Sequence, residues 1–165
     1  MNYTLHVWYY RADAPSDAAR TVRSESELAD VLTYVLANHQ PNPPVLVARE
    51  RPKVGRRGRP DHQLKIDADR ESAVGAVLAM GPRDFVPESA PDFATTSPDG
   101  GVWVARSTAW VPPVGTPPLY IDKAVMTEFP RNAVLPLDLW REALYEFMRT
   151  GLRPTCVEWD VSTVY

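Results

Sequence analysis

The sequence is poor in the residues and motifs that mark several large classes of protein. Its single cysteine, Cys156, excludes a disulfide framework within the chain and a zinc site built from cysteines. The most apolar stretch, residues 73–80, is too short to span a bilayer. The first residues contain neither a basic segment nor a long apolar core, so no signal peptide is predicted. We therefore expect a cytoplasmic protein that does not enter a membrane.

Motifs that carry catalysis or bind cofactors are missing as well. Glycine is scarce, at eight residues, and the sequence has neither a Gly-x-x-x-x-Gly-Lys phosphate loop nor a Gly-x-Ser-x-Gly nucleophile elbow. The three histidines, His6, His39 and His62, are isolated and form no metal-binding pattern. The sequence therefore predicts no cofactor, no metal and no enzymatic activity. A small enzyme whose site is assembled only in space stays an alternative.

The net charge of −3 is distributed unevenly along the chain. Residues 49–59 carry six basic side chains and one glutamate, a net of +5, which leaves −8 for the other residues. Six cations could neutralise phosphates, so a nucleic-acid-binding module that uses this loop is a second alternative. The loop has no aromatic side chain for base stacking, however, and the body is acidic. We therefore expect a solvated, flexible loop without direct binding of nucleic acid.

Proline, by contrast, is abundant: the 17 prolines are about twice the usual share of ~5%. Proline lacks an N–H and has a fixed φ, so long helical bundles and coiled coils are excluded. Eight of the prolines lie in residues 81–100 and 111–118, where they stiffen long connections. Because stiff loops lose less entropy on docking, these segments are hypothesised to form a binding surface in advance.

Two helices are predicted from capping residues and apolar periodicity. Ser24 and Glu27 form a capping box, after which an apolar stripe continues as far as Asn38. The second helix opens at Pro136 and ends at Gly151, a residue suited to a left-handed cap. Its buried stripe is expected to contain Trp140, Ala143, Leu144, Phe147 and Met148.

The remaining regular structure is predicted to be β-strand, separated by loops at residues 11–23, 52–61 and 81–100. Residues 72–80 could also form a short helix, but Gly75 favours a strand that pairs with its predecessor through a turn at residues 69–71. The predicted strands are residues 2–10, Val45–Ala48, Gln63–Asp69, Ser72–Met80, Val102–Val104, Trp110–Val111, Leu119–Ile121 and Cys156–Val161. The sum is a single α+β domain over residues 1–165, with two main helices on a mostly antiparallel sheet of six or seven strands.

The C-terminal third contains a series of motifs that is specific when taken together. The series is Phe129-Pro130, Pro136, Ala143-Leu144, Phe147, Thr150-Gly151, Arg153-Pro154 and Val157-x-Trp159. In these residues, over about a quarter of the chain, the sequence resembles the first immunity-protein family of bacterial polymorphic toxin systems. The matching residues look structural, so the resemblance carries over no contact residue.

The resemblance implies an antitoxin that binds a cognate toxin domain in the cytoplasm of the producing cell. Such toxins often act on nucleic acid as deaminases or nucleases, and an acidic partner would be steered to their basic clefts. We expect the antitoxin to be a monomer or a weak dimer. From the residues themselves, the toxin contacts are expected to be acids in loops with one aromatic anchor. These residues are Asp67, Asp69, Glu71, Asp92, Asp99 and Trp110.

Overall fold

The structure, a computed structural model, describes residues 2–164 and consists of a large antiparallel sheet with two helices. The helices are α1 (Glu25–Ala37) and α2 (Leu137–Thr150). The strands are β1 (Leu5–Trp8), β2 (Arg20–Val22), β3 (Val45–Ala48), β4 (Lys53–Val54), β5 (Arg59–Pro60), β6 (Gln63–Asp69), β7 (Val74–Gly81), β8 (Gly101–Arg106), β9 (Tyr120–Asp122), β10 (Thr127–Glu128), β11 (Leu135–Pro136) and β12 (Glu158–Val161). This architecture confirms the α+β prediction.

The main sheet has the order β12-β8-β7-β6-β3-β1-β2, with β11 paired to the first residues of β7. Strands β4–β5 and β9–β10 form two separate hairpins. Both helices pack on one face of the sheet, where they build the first core. The segment between β8 and α2 covers the opposite face over β7 and β8 and builds a smaller second core. Successive residues of β7 therefore point alternately into the two cores.

Local sequence signals account for the position of α1. The hydroxyl of Ser24 accepts a hydrogen bond from the Glu27 N–H at 3.1 Å, which satisfies one of the free donors at the helix start. The helix ends at Asn38, whose N–H bonds back to the Tyr34 carbonyl. Both ends lie where the sequence predicts them, and the apolar stripe faces the first core.

Helix α2 packs closely on the sheet because β7 has glycine where the helix presents its largest side chain. Trp140 is fully buried and donates its indole N–H to the Ala76 carbonyl at 3.2 Å. A Cβ atom at Gly75 would lie only 2.4 Å from Cγ of Trp140. Gly151 ends the helix with a φ of 65°, in the left-handed region that glycine favours.

The structure differs from the sequence prediction in several short segments. Residues 11–23, expected to be a loop, contain β2, and residues 52–61 contain the β4–β5 hairpin. Trp110–Val111 is not a strand, because the following Pro112-Pro113 supplies no N–H groups and Trp110 packs into the second core instead. Strand β12 begins at Glu158, two residues after the predicted start at Cys156, and its Val161 is 75% exposed at the edge of the sheet.

A buried histidine stands at the start of β6. His62 Nε2 accepts a hydrogen bond from the Ala48 N–H at 2.9 Å, so the ring proton is on Nδ1, 2.8 Å from Asp61 Oδ1. The ring also packs against Phe85 and Phe147. Burial lowers the pKa of His62, although Asp61 opposes the shift. The fold therefore holds His62 as a neutral imidazole.

We expect the free energy of unfolding to be lower at pH 5 than at pH 7 because of His62. A base whose pKa is lowered in the folded state loses stability as the pH falls below its ordinary value of 6.5. Urea unfolding at both pH values measures the loss. His62→Gln should remove the larger share of this difference, whereas the same change at the half-buried His6, whose pKa burial also lowers, should remove a smaller share. An equal loss in wild type and His62→Gln would contradict the assignment.

Candidate functional site

One cleft lies where three separate segments of the chain meet. Its volume is about 810 Å³, and it opens between the C-terminal end of α1, the turn from β6 to β7 and residues 117–126. Three of the acids expected to bind a partner, Asp67, Asp69 and Glu71, line this cleft. The antiparallel pairing of β6 and β7 places them there, because the turn between the strands projects from the end of the sheet.

Asp67 is almost fully buried and holds the floor of the cleft together. It is 7% exposed, and its Oδ2 accepts a hydrogen bond from the Tyr120 N–H at 2.8 Å. Its Oδ1 accepts from the Ala68 N–H at 3.0 Å and lies 3.8 Å from Lys123 Nζ. Burial raises the pKa of Asp67, while the Tyr120 N–H and Lys123 act in the opposite direction. Asp67 is thus a positioning residue that fixes β9 against the sheet.

Asp69 and Glu71 form the rim of the cleft. Asp69 is half-buried, and its Oδ2 accepts a hydrogen bond from the Ser72 N–H at 2.8 Å, which fixes the turn. Glu71 is exposed. The same rim carries Arg70, and Lys123 donates to the Gln40 carbonyl at 2.6 Å inside the cleft. The rim is therefore of mixed charge, and its outermost carboxylate is free to meet a cation of a partner.

An exposed apolar hairpin tip stands beside this rim. In the turn between β9 and β10, Val125 is 72% exposed and Met126 is 60% exposed. Asp122 Oδ1 accepts hydrogen bonds from the Ala124 N–H at 2.7 Å and the Val125 N–H at 3.2 Å, which fixes the turn. Met126 has a φ of 56°, a conformation that costs energy for a residue other than glycine. A strained, exposed apolar side chain next to a cleft is typical of a binding surface.

The proline-rich segment 111–118 adds further exposed apolar surface. Val111 is 81% exposed and Val114 is fully exposed. Arg131 holds the segment by donating to the Thr116 carbonyl at 3.2 Å. Including Val125 and Met126, four of the eight strongly exposed large hydrophobic side chains described lie between residues 111 and 126. All four side chains belong to the segment between β8 and α2 that builds the second core.

The other expected partner-binding residues lie elsewhere. Asp92 forms an ion pair with buried Arg153, and Asp99 is exposed in the connection from β7 to β8, at the end of β7 opposite to the cleft. Trp110 is half-buried and packs into the second core, so little of its ring faces solvent. The structure thus assembles three of the six residues and separates the remaining three.

The hairpin tip could not be found by sequence reasoning. Val125 and Met126 form a short apolar pair like many others in the chain. Only the acceptor role of Asp122 and the neighbouring cleft distinguish them. We define the cleft face as Asp69, Glu71, Val125 and Met126.

The described chain shows no arrangement suited to catalysis by metal or thiolate. Residues 2–164 contain no group of three or more histidine, cysteine or acidic side chains that could hold a metal ion. Burial, followed by the neighbouring Glu146, raises the pKa of Cys156 to about 12, so its thiol stays protonated. Within the same residues, no helix has the length and apolar character needed to cross a membrane.

Comparison with known proteins identifies a family for this chain. A family model described as immunity protein Imm1 matches residues 16–160, which include the cleft face, both helices, ten of the twelve strands in full and all but the last residue of β12. A search of curated proteins found no match. The match extends far upstream of the C-terminal motifs that suggested the resemblance.

Proposed function

This chain belongs to the Imm1 family of immunity proteins, and on that premise we propose that it binds a cognate polymorphic toxin domain and occludes its active site. The family implies a toxin partner and points to a role other than catalysis. We propose further that the protein is not an enzyme, that it acts in the cytoplasm and that its toxin acts on nucleic acid, as a deaminase or a nuclease.

The observation that carries the proposed docking site is the composition of the cleft face. It combines an exposed carboxylate at Glu71 with a fixed, exposed apolar tip at Met126. Interfaces gain most of their affinity from a few well-placed apolar anchors surrounded by polar groups. The anchors here are held in place before binding, so little entropy is lost when they dock.

Electrostatics supports the choice of toxin class. A domain that acts on nucleic acid needs a basic substrate cleft. Outside residues 49–59, this chain has a net charge of −8. That charge would steer the protein towards a basic cleft and would also repel nucleic acid from the acidic surface.

The direct test is co-expression and complex formation with the toxin encoded next to this chain. We expect protection of the cells and a stable complex in size-exclusion chromatography. The double substitution Glu71→Lys and Met126→Asn should raise the dissociation constant about ten-fold or more, because it reverses one charge and removes the apolar anchor. Asparagine tolerates the left-handed conformation, so the turn should be retained.

A matched control is available on another surface. Glu88→Lys and Val161→Asn make the same chemical changes at exposed positions outside the cleft face and should leave the affinity unchanged. Equal affinity of the Glu71/Met126 variant and wild type would reject the cleft face as the docking site. Death of the cells with no complex formed by wild type would reject the immunity function itself.

A further inference from the structure

The basic segment forms an ordered arm. Strands β4 and β5 pair as a hairpin whose turn contains Gly55 and Gly58, with φ values of 77° and 59°. The Gly58 N–H donates to the Gly55 carbonyl at 3.2 Å, which closes the turn and leaves Arg56 and Arg57 at its tip. We call residues 53–60 the cationic arm. All of its side chains are exposed, and within the described chain none of its cations forms a salt bridge.

The base of the cationic arm is clamped to the sheet. Arg51 bonds to both carboxylate oxygens of Asp61, at 3.3 and 3.0 Å, and to Asp84 at 3.1 Å. Its guanidinium also stacks over the Phe85 ring, 5.2 Å from the centroid. The Asp61 N–H donates to the Pro52 carbonyl at 3.1 Å. Among the basic side chains of residues 49–59 in the described structure, only Arg51 has a carboxylate partner. Arg51 is therefore the residue that anchors the arm.

Cations continue from the arm onto the adjacent sheet. The Arg49 N–H bonds to the Thr4 carbonyl, and Lys53 Nζ donates to the Arg49 carbonyl at 3.2 Å. Alternation along β3 directs Arg49 to the face opposite the helices, where half-buried His6 and Trp8 of β1 also lie. The layer between β8 and α2 covers this face over β6, β7 and β8, and β1 lies two strands beyond β6. Arm and sheet thus form one basic surface with an aromatic pair beside it.

This basic surface and the cleft face lie at opposite ends of β6. The arm leads into Gln63, and Asp69 ends the strand at the cleft. Seven residues of strand span about 20 Å. The cations of the arm and the carboxylates of the cleft face are therefore held a fixed distance apart, at the two ends of one strand.

We propose that the cationic arm, with Arg49, docks an acidic protein surface, which under the proposed function belongs to the toxin outside its substrate cleft. Arginine forks bind carboxylates in pairs, and Val54 in the arm is 54% exposed, which adds apolar contact suited to a protein. A nucleic acid long enough to fill the basic surface would extend over the rest of the chain. Because the residues outside 49–59 have a net charge of −8, they would repel its phosphates. The toxin is thus held at two points about 20 Å apart.

Charge reversal at the arm tests the proposal. Arg56→Glu with Arg57→Glu should weaken binding of the toxin encoded next to this chain about ten-fold or more at low salt, with a smaller effect at high salt. Both positions are exposed at the tip, so the fold should be retained. The control is Arg141→Glu with Arg149→Glu, an equal charge change on the exposed side of α2, which should leave binding close to wild type. Calorimetric titration measures each affinity.

The outcomes separate this proposal from the function on which it rests. If wild type binds no toxin, the proposed function fails and the arm proposal fails with it. If wild type binds and the Arg56/Arg57 variant binds equally well, only the arm proposal is overturned. The arm proposal is also overturned by a different result with a 20-nucleotide single strand. If this strand binds wild type but not the Arg56/Arg57 variant, and both proteins bind the toxin equally well, the arm binds nucleic acid and not the toxin.

Discussion

Truncation of Trp140 to alanine is expected to lower the free energy of unfolding by about 3–5 kcal/mol, a large part of the ~5–15 kcal/mol typical of a domain. The side chain is fully buried in the first core and fills the space above Gly75. Its removal leaves a cavity that the paired strands of the sheet cannot close. It also removes the indole hydrogen bond to the Ala76 carbonyl. Urea unfolding followed by circular dichroism measures the loss.

A double-mutant cycle with Gly75 shows whether the packing account is right. Gly75→Ala should destabilise the wild type, since the added Cβ would lie 2.4 Å from Cγ of Trp140. In the Trp140→Ala background the same methyl group has room, and alanine is better tolerated than glycine in a strand. The sign of the Gly75→Ala effect should therefore reverse. Additive effects of the two substitutions would contradict direct contact as the cause.

Substitution of Asp92 by alanine is expected to destabilise the fold by about 3 kcal/mol, because it leaves a buried cation without its counter-charge. Arg153 is 2% exposed and donates to Asp92 Oδ2 at 3.0 Å. Its guanidinium lies between Trp103 and Trp159, 4.8 and 5.3 Å from the ring centroids. Asp92 is itself partly exposed, so water can reach the pair and the lower end of the usual range applies.

The same substitution separates a structural role of Asp92 from the contact role expected from the sequence. Asp99→Ala is the matched control, because its carboxylate is exposed and should change stability by no more than about 0.5 kcal/mol. Below the melting temperature of the variant, Asp92→Ala should bind toxin as wild type does. A lowered affinity with unchanged stability would instead place Asp92 in the interface.

Long, locally encoded elements could be predicted from the sequence. Val45–Ala48 and Gln63–Asp69 match their strands in full, and Ser24 marks the start of α1. These elements have capping residues or alternating patterns of their own. Strand β2 has three residues, of which only Val22 is buried, so its pattern is too short to recognise. Strand β11 exists because Leu135 meets Gly75 of a distant strand, which no local pattern encodes.

The candidate site was predictable only where it lies within one hairpin. Asp67, Asp69 and Glu71 come together because two strong strand patterns flank a short turn. Their individual roles were not predictable, since burial of Asp67 depends on the Tyr120 N–H, 53 residues away. Asp92 is expected at the interface only because it is an acid in a loop, and its pairing with Arg153 again depends on tertiary contact.

The alternation of β7 between two cores also bears on how such a protein can change its partner. Val74, Ala76 and Leu78 support the layer that carries the hairpin tip, whereas Val77 and Ala79 support the helices. Substitutions in residues 107–134 can therefore reshape the layer that carries the hairpin tip while the contacts between helices and sheet stay in place. One layer of the two-sided sheet can therefore change in sequence while the other maintains the fold, and under the proposed function this would allow adaptation to a new toxin.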